Sequence, residues 1–206
     1  MTDLFETTKI NGMTLANRFV RSATWEGMAA DDGAVTPGLI SLMTGLAQGG
    51  VGLIISSHAY VSREGQAGPW QLGVYKDDLV PGLRRMTAAV HDRGGKIVMQ
   101  LAHAGYHANG KLSGLMPVAP SAVEGIAKAP RQALTEAGLD AIVRAFADAA
   151  RRARPAGFDG VQIHAAHGYL LSQFLSPSYN PRTDAYGGQS QNRAQPLVAV
   201  LKAIRK

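Results

Sequence analysis

Four short, almost continuously apolar runs alternate along this chain with longer segments whose apolar residues recur every three or four positions. The runs Phe19 to Thr24, Val51 to Ser57, Lys96 to Leu101 and Gly160 to His164 are predicted strands. Their lack of strict apolar/polar alternation is what parallel strands covered on both faces show. The segments between them predict helices over Thr36 to Gln48, Asp78 to Arg93, Thr135 to Arg154 and Asn192 to Lys206. Thr36-Pro37 supplies an N-cap with proline at the first helical position, and Gly49-Gly50 follows the helix end. Gly94-Gly95 closes the second helix in the same way, and Pro155-Ala156-Gly157 punctuates the end of the third. The predicted order is βαβαβαβα, with crossovers long enough to join parallel strands.

That repetition admits either a doubly wound sheet or a (β/α)8 barrel, and the loops separate them. No Gly-x-Gly-x-x-Gly follows the first predicted strand, as a dinucleotide-binding doubly wound fold would require. Polar residues instead gather at the carboxyl ends of all four strands: Thr24, Trp25 and Glu26; Ser56, Ser57 and His58; Gln100 and His103; His164, His167 and Tyr169. A barrel builds its active site at that face from several strand ends. The fold class expected is therefore α/β of the (β/α)8 TIM-barrel type. At 206 residues the chain falls short of the roughly 250 of a closed barrel, so the expectation is a single domain over residues 1–206, truncated to about the first four β/α units.

Composition narrows the function classes. Hydrophobic residues make up 46% and charged residues 17%, enough apolar material for a substantial core. There is no cysteine, so disulfides, thiolate metal sites and iron–sulfur ligation within the chain are excluded. The formal charge of +6 is scattered, and its densest group, Arg151, Arg152 and Arg154, falls near a predicted helix end, where cations complement the dipole. No nucleic-acid partner is expected from that pattern. The start has neither a basic n-region nor a signal-length apolar run, and no later segment reaches spanning length. The expectation is no membrane association and a cytoplasmic location.

The chemistry concentrates in His164-Ala165-Ala166-His167-Gly168-Tyr169-Leu170, where two imidazoles and a phenol leave one strand end. Three protic groups there suit polarising an oxygen and donating a proton. His164 and His167 could also ligate zinc, which would make the chain a metal-dependent barrel hydrolase, but a catalytic zinc needs a third protein ligand. The longest loop, about Gly105 to Ala133, carries Gly110, Gly114, Pro117, Pro120, Gly125 and Pro130; it reads equally as a lid over a site or as a surface excursion.

Taken together these stretches resemble the old yellow enzyme family of flavin-dependent ene-reductases. The likeness runs through Leu4-Phe5, Asn17-Arg18-Phe19-Val20, Gly52-Leu53-Ile54-Ile55 and Gln100-Leu101-Ala102-His103-Ala104-Gly105. Its most specific part runs from His164 through Gln173-Phe174-Leu175-Ser176-Pro177, Asn180, Arg182, Asp184, Tyr186-Gly187-Gly188 and Asn192-Arg193. The resemblance implies the front half of an FMN-binding barrel, with NADH or NADPH as electron donor and an enone or enal as substrate. It implies that Ser22, Ala23, Thr24, His58 and Gln100 line the FMN, that His164 and His167 hold the substrate carbonyl, and that Tyr169 delivers the proton. No metal is implied. Trp25 stands where many members carry a cysteine or threonine and is expected to wall the substrate pocket; Tyr106 stands where an arginine is usual. Arg182, Asp184 and Tyr186 are expected to knit their loop. The strand loops that grip a phosphate in such barrels come later than the fourth unit, so three outcomes stay open: complementation by a C-terminal half-barrel, pairing as a homodimer, or a non-catalytic half-barrel that binds no flavin by itself.

Overall fold

A computed structural model describes residues 3–123 and 130–206. Gly125, which falls in the long glycine- and proline-rich loop, lies outside the described residues. The chain forms two compact units, one built from Met1–Ala59, Trp70–Gln100 and Arg152–Gln162, the other from Tyr60–Pro69, Leu101–Arg151 and Ile163–Lys206.

The first unit opens with a hairpin of β1 (Thr8–Ile10) and β2 (Met13–Leu15), antiparallel and paired Thr8 with Leu15. Asn11, at φ 51° in the left-handed region, makes its turn. Then come β3 (Val20–Arg21), α1 (Pro37–Gln48), β4 (Leu53–Tyr60), α2 (Val80–His91) and β5 (Ile97–Ala102). The strands lie in the order β3-β4-β5-β8, the last being Gly160–Ile163. β3 pairs with β4 in parallel, Val20 opposite Leu53. Asn17 sets that register: its amide donates to Gly50 O at 2.7 Å while its Oδ1 accepts from Phe19 N at 3.0 Å. A Cβ at Gly52 would lie 2.5 Å from the Asn17 carbonyl, so only glycine lets these two segments meet. Leu15, Leu53, Ile55 and Val98 form one buried cluster, against which Met13 and Ala23 pack; the alternation of Leu53 and Ile55 puts both on the same sheet face.

Helix α1 begins where Thr36 Oγ1 accepts from Leu39 N at 3.2 Å, and buries Leu39, Met43 and Ala47 one turn apart. It packs on α2, which buries Leu83, Met86 and Val90. Thr87, also buried, donates its hydroxyl to Ala156 O and so fastens α2 to the segment entering β8. At the start of β8, Asp159 accepts from Lys96 Nζ at 2.8 Å and Ile97 N at 2.9 Å, and lies 2.9 Å from His91 Nε2.

The second unit contains the last residues of β4, β5 and β8, a 3-10 turn at Arg63–Gly65, another at Gly105–His107, and α3 (Gly110–Ser113). Two short strands, β6 (Val118–Ala119) and β7 (Gln132–Ala133), pair in parallel, Val118 opposite Gln132. Helix α4 (Glu136–Ala153) follows and buries Leu139, Ile142, Phe146 and Ala149. Thr135 Oγ1 accepts from Gly138 N at 3.1 Å at its start. Beyond β8 come α5 (Leu170–Leu175) and α6 (Ser190–Ile204).

The four predicted strands and four predicted helices are all present, with shifted edges. The first strand is confined to Val20–Arg21, because Arg21 turns its guanidinium onto β4, donating to Ile55 O at 2.8 Å, and the chain leaves the ladder. The second runs on to Tyr60, so His58 lies inside a strand rather than after one. The second helix is preceded by a 3-10 turn at Asp77–Leu79 rather than starting at Asp78; the missing N–H of Pro81 suits the first α-turn. The β1–β2 hairpin, α5 and the β6–β7 pair are additions. The long loop is thus not a bare excursion: it carries a 3-10 turn, α3 and a paired strand at each side of its undescribed stretch. No helix of the described residues is long and apolar enough to cross a membrane.

Candidate functional site

In the second unit the turn after β8 gathers the two imidazoles and the phenol. His164 is buried, its ring centroid 5.2 Å from that of His167 at an interplanar angle of 86°, and 4.7 Å from that of Tyr169 at 33°. His164 Nδ1 accepts from Ala166 N at 3.3 Å. A neutral His164 therefore carries its proton on Nε2, which makes that nitrogen a donor. His167 reaches its exposed position through a left-handed backbone, φ 55°, followed by Gly168 at φ 70°. Two such residues in succession reverse the chain and return Tyr169 to the side of His164. Tyr169 is half-buried, and burial pushes its phenol above the ordinary value of 10.0, so the hydroxyl keeps its proton at neutral pH.

Neighbouring contacts fix this turn. Tyr169 N donates to Ala166 O at 3.0 Å, and Leu170 N to His103 O at 2.9 Å. His103 is buried; its Nδ1 accepts from Gly105 N at 3.0 Å, and its Nε2 faces Glu64 Oε1 at 3.8 Å. The His103 imidazole beside it, aided by the Glu64 backbone N–H and the Ser62 hydroxyl against the cost of burial, holds the Glu64 carboxyl down at about 2. The Tyr106, His107 and Tyr179 rings form an edge-on cluster with centroids 5.7 to 6.3 Å apart. The Arg131 guanidinium lies 5.5 Å from the Tyr106 ring. Arg182 reaches Pro120 O at 2.8 Å and Leu134 O, pairs with Asp184, and lies 6.0 Å from the Tyr186 ring.

The first unit carries the other sequence-predicted residues. Ser22, Thr24 and Trp25 are exposed and Ala23 is half-buried, in the stretch that follows β3. Arg21 shapes that stretch: besides Ile55 O it donates to Thr24 O at 3.3 Å and pairs with Glu26 at 2.6 Å, with both side chains largely buried. Thr24 Oγ1 donates to Ser22 O at 3.2 Å. On the sheet, Gln100 Nε2 donates to Gln162 Oε1 at 2.7 Å, so neighbouring strands carry a pair of carboxamides. His58 is half-buried in β4, and its carbonyl accepts from the buried Gln71 amide at 2.9 Å. His164, His167 and Tyr169 thus form one group within the second unit, while Ser22, Ala23, Thr24, Trp25, His58 and Gln100 belong to the first. Among the described residues no three His, Asp or Glu side chains are grouped as metal ligands.

Sequence reasoning missed Arg21, Glu64 and Gln173. Little in the sequence marks them: Arg21 closes an apolar run, and Gln173 sits inside Leu170-Leu171-Ser172-Gln173-Phe174-Leu175, an apolar helix that buries it completely.

Comparison with known proteins places this geometry. A family model described as "NADH:flavin oxidoreductase / NADH oxidase family" matches residues 3–206. The chain is 40% identical over 203 residues to an NADPH dehydrogenase of Halalkalibacterium halodurans, covering 98% of this chain and 59% of that protein. It is 43% identical over 209 residues to a metal reductase of Desulforamulus reducens, covering 100% of this chain and 31% of that protein. Among solved structures, it overlays an old yellow enzyme homologue from Zymomonas mobilis with a TM-score of 0.92 at 35% identity, covering 98% of this chain and 59% of that one. The chain therefore spans little more than half the length of the NADPH dehydrogenase and of the old yellow enzyme homologue, and about a third of the metal reductase. The overlay gives the fold as the (β/α)8 barrel type, of which this chain carries four β/α units.

Proposed function

The chain belongs to the NADH:flavin oxidoreductase / NADH oxidase family, and on that premise we propose that it supplies the FMN-facing and substrate-protonating parts of an ene-reductase of the old yellow enzyme type. One observation carries the reading: the His164, His167 and Tyr169 rings gather on a single turn, with the phenol kept protonated by burial.

The first unit's residues fit a flavin. Residues 22–24 offer exposed backbone beyond the ladder, and the Gln100 carboxamide, steadied by Gln162, offers both donor and acceptor to a ring edge. His58, on β4 between them, is proposed to approach the same ring. The chemistry FMN supplies when bound is hydride transfer, from NADH or NADPH to the β-carbon of an α,β-unsaturated carbonyl. His164 and His167 hold the carbonyl oxygen, where negative charge develops as the hydride arrives; two positioned donors there are worth several kcal/mol. Tyr169 gives its proton to the α-carbon. The exposed Trp25 indole walls the substrate side.

The test is titration of the purified chain with FMN, read by flavin fluorescence and absorbance, followed by NAD(P)H-dependent reduction of a simple enone. Saturable binding and turnover, with turnover abolished in His164→Ala/His167→Ala, is the expected result. A second reading is favoured by the chain's 59% share of the NADPH dehydrogenase's length: these residues bind no flavin by themselves and need a complementing C-terminal half. No binding by the isolated chain, restored on adding such a half, would turn the conclusion to it.

A further inference from the structure

Gln173 has no role in the chemistry proposed above, yet it is completely buried and its side chain is spent entirely on backbone groups. Its Oε1 accepts from Tyr106 N at 3.0 Å, and its Nε2 donates to Ala104 O at 3.1 Å and to Gly168 O. One carboxamide thereby joins the segment leaving β5 to the middle of the His164–Tyr169 turn. The turn needs holding, because His167 at φ 55° adopts a backbone that costs a side-chain-bearing residue about 1–2 kcal/mol. Gly105 makes the approach feasible: a Cβ there would lie 2.4 Å from Gln173 Oε1 and 2.9 Å from Leu170 Cα. Tyr169 itself is the N-cap of the helix bearing Gln173, and Gln173 N donates to Tyr169 O at 2.8 Å. Backbone and side chain of one residue therefore clasp both sides of the reactive turn.

We propose that Gln173 is a positioning residue that latches the left-handed His167-Gly168 step to the end of β5, and so sets the placement of the Tyr169 phenol against the His164 and His167 rings. Its bearing on turnover rests on the ene-reductase reading; its bearing on ring geometry does not. Carboxamide chemistry is required, because the latch accepts at one atom and donates twice from the other. A side chain of similar size without those groups would take the partner from the Tyr106 N–H and from the Gly168 carbonyl, and leave Ala104 O with His107 N alone.

The experiment compares the wild-type chain with Gln173→Leu and Gln173→Glu, labelled with 13C at tyrosine and histidine rings and studied by NMR without flavin. The wild type should show a through-space contact between the His164 and His167 rings and a Tyr169 phenol that titrates above its ordinary range. Gln173→Leu should lose the contact and bring the phenol back toward that range, while signals of the first unit stay in place. Gln173→Glu keeps the acceptor for Tyr106 N–H and loses the donors, so the same changes should appear, and the loss of ring contact should shrink as pH falls and the new carboxyl protonates. A pH-dependent recovery of this kind is not expected of a side chain that only fills space. Where the wild type turns over an enone, kcat should drop about 10²-fold in Gln173→Leu with KM changed far less. Unchanged ring contact and unchanged phenol titration in both variants would overturn the latch, whether or not the chain binds FMN. Loss of both in a chain that never binds FMN would uphold the latch and sink only the functional reading.

Discussion

The two units of this chain prepare their functional residues in opposite ways. In the second, one short turn is overdetermined: His164 Nδ1, Tyr169 N, Leu170 N and the Gln173 amide all have hydrogen bonds within or beside it. In the first, the expected flavin-facing residues are spread over β4, β5 and the stretch after β3, and residues Ser22 to Trp25 are mostly exposed. The contrast matches the two tasks proposed for these residues. Donors aimed at a developing charge must be preorganised to act in the transition state, whereas a cofactor's edges can be met by backbone and carboxamides that are finished by the cofactor itself. Chemistry should therefore be sensitive to single atoms in the second unit and binding to segment shape in the first.

The largest effect that tests this contrast is Tyr169→Phe. Removing one hydroxyl should lower the rate of enone reduction by about 10²–10⁴-fold while leaving FMN affinity and the melting temperature almost unchanged, as measured by steady-state turnover beside flavin titration. Because burial holds the phenol protonated beyond its ordinary range, the wild-type rate should fall only at strongly alkaline pH. Equal losses of binding and rate would erase the distinction between the units.

In the first unit the corresponding change is Arg21→Ala. Its guanidinium ties Ile55 O, Thr24 O and Glu26 together, and removal leaves the Glu26 carboxylate largely buried without its partner. Breaking such a pair from one side costs about 3 kcal/mol, which denaturant unfolding would measure. FMN affinity should weaken in parallel, because residues 22–24 lose the contact that shapes them. An affinity that stays put while stability falls would mean that this stretch does not touch the cofactor.

What could be read from sequence follows the same division. Strand and helix identity came through because the strands are apolar runs, mostly buried in β4 and β5 though not in β3 and β8, and because Thr36-Pro37 and Gly94-Gly95 are chemical punctuation. The His164–Tyr169 group was legible because its partners are neighbours in sequence, so the motif and the cluster of rings are nearly the same object. Less was legible where long-range contacts decide. Nothing near Arg21 announces that its side chain will cross to Ile55 and end the first strand after Val20–Arg21. The hairpin of β1 and β2 was passed over because only Leu15 of its six residues is fully buried, leaving a weak apolar signal. Gln173 was hidden by its setting, a polar residue in an apolar helix whose partners lie roughly 70 residues away in sequence at Ala104 and Tyr106.

The smallest expected effect concerns the support beneath the second unit's turn. Glu64 has a folded value of about 2 against an ordinary 4.5, so its carboxylate form is favoured by folding. A depressed carboxyl contributes stability that is present above pH 4.5 and is lost as pH falls from there toward about 2. With its side chain 28% exposed, solvent screening brings the contribution to about 1–2 kcal/mol. Glu64→Gln should therefore lower stability by that amount at pH 7 and make the acid decline shallower, so that the two proteins converge near pH 2, as urea unfolding at stepped pH would show. The His103 ring that Glu64 faces lies on the residue whose carbonyl receives Leu170 N. If the turn is held mainly by Gln173, the His164–His167 ring contact should survive Glu64→Gln although stability has dropped. If that contact is lost as well, the turn depends on the whole β5 end rather than on one carboxamide, and the sharp contrast between a preorganised second unit and a permissive first unit gives way to a graded one.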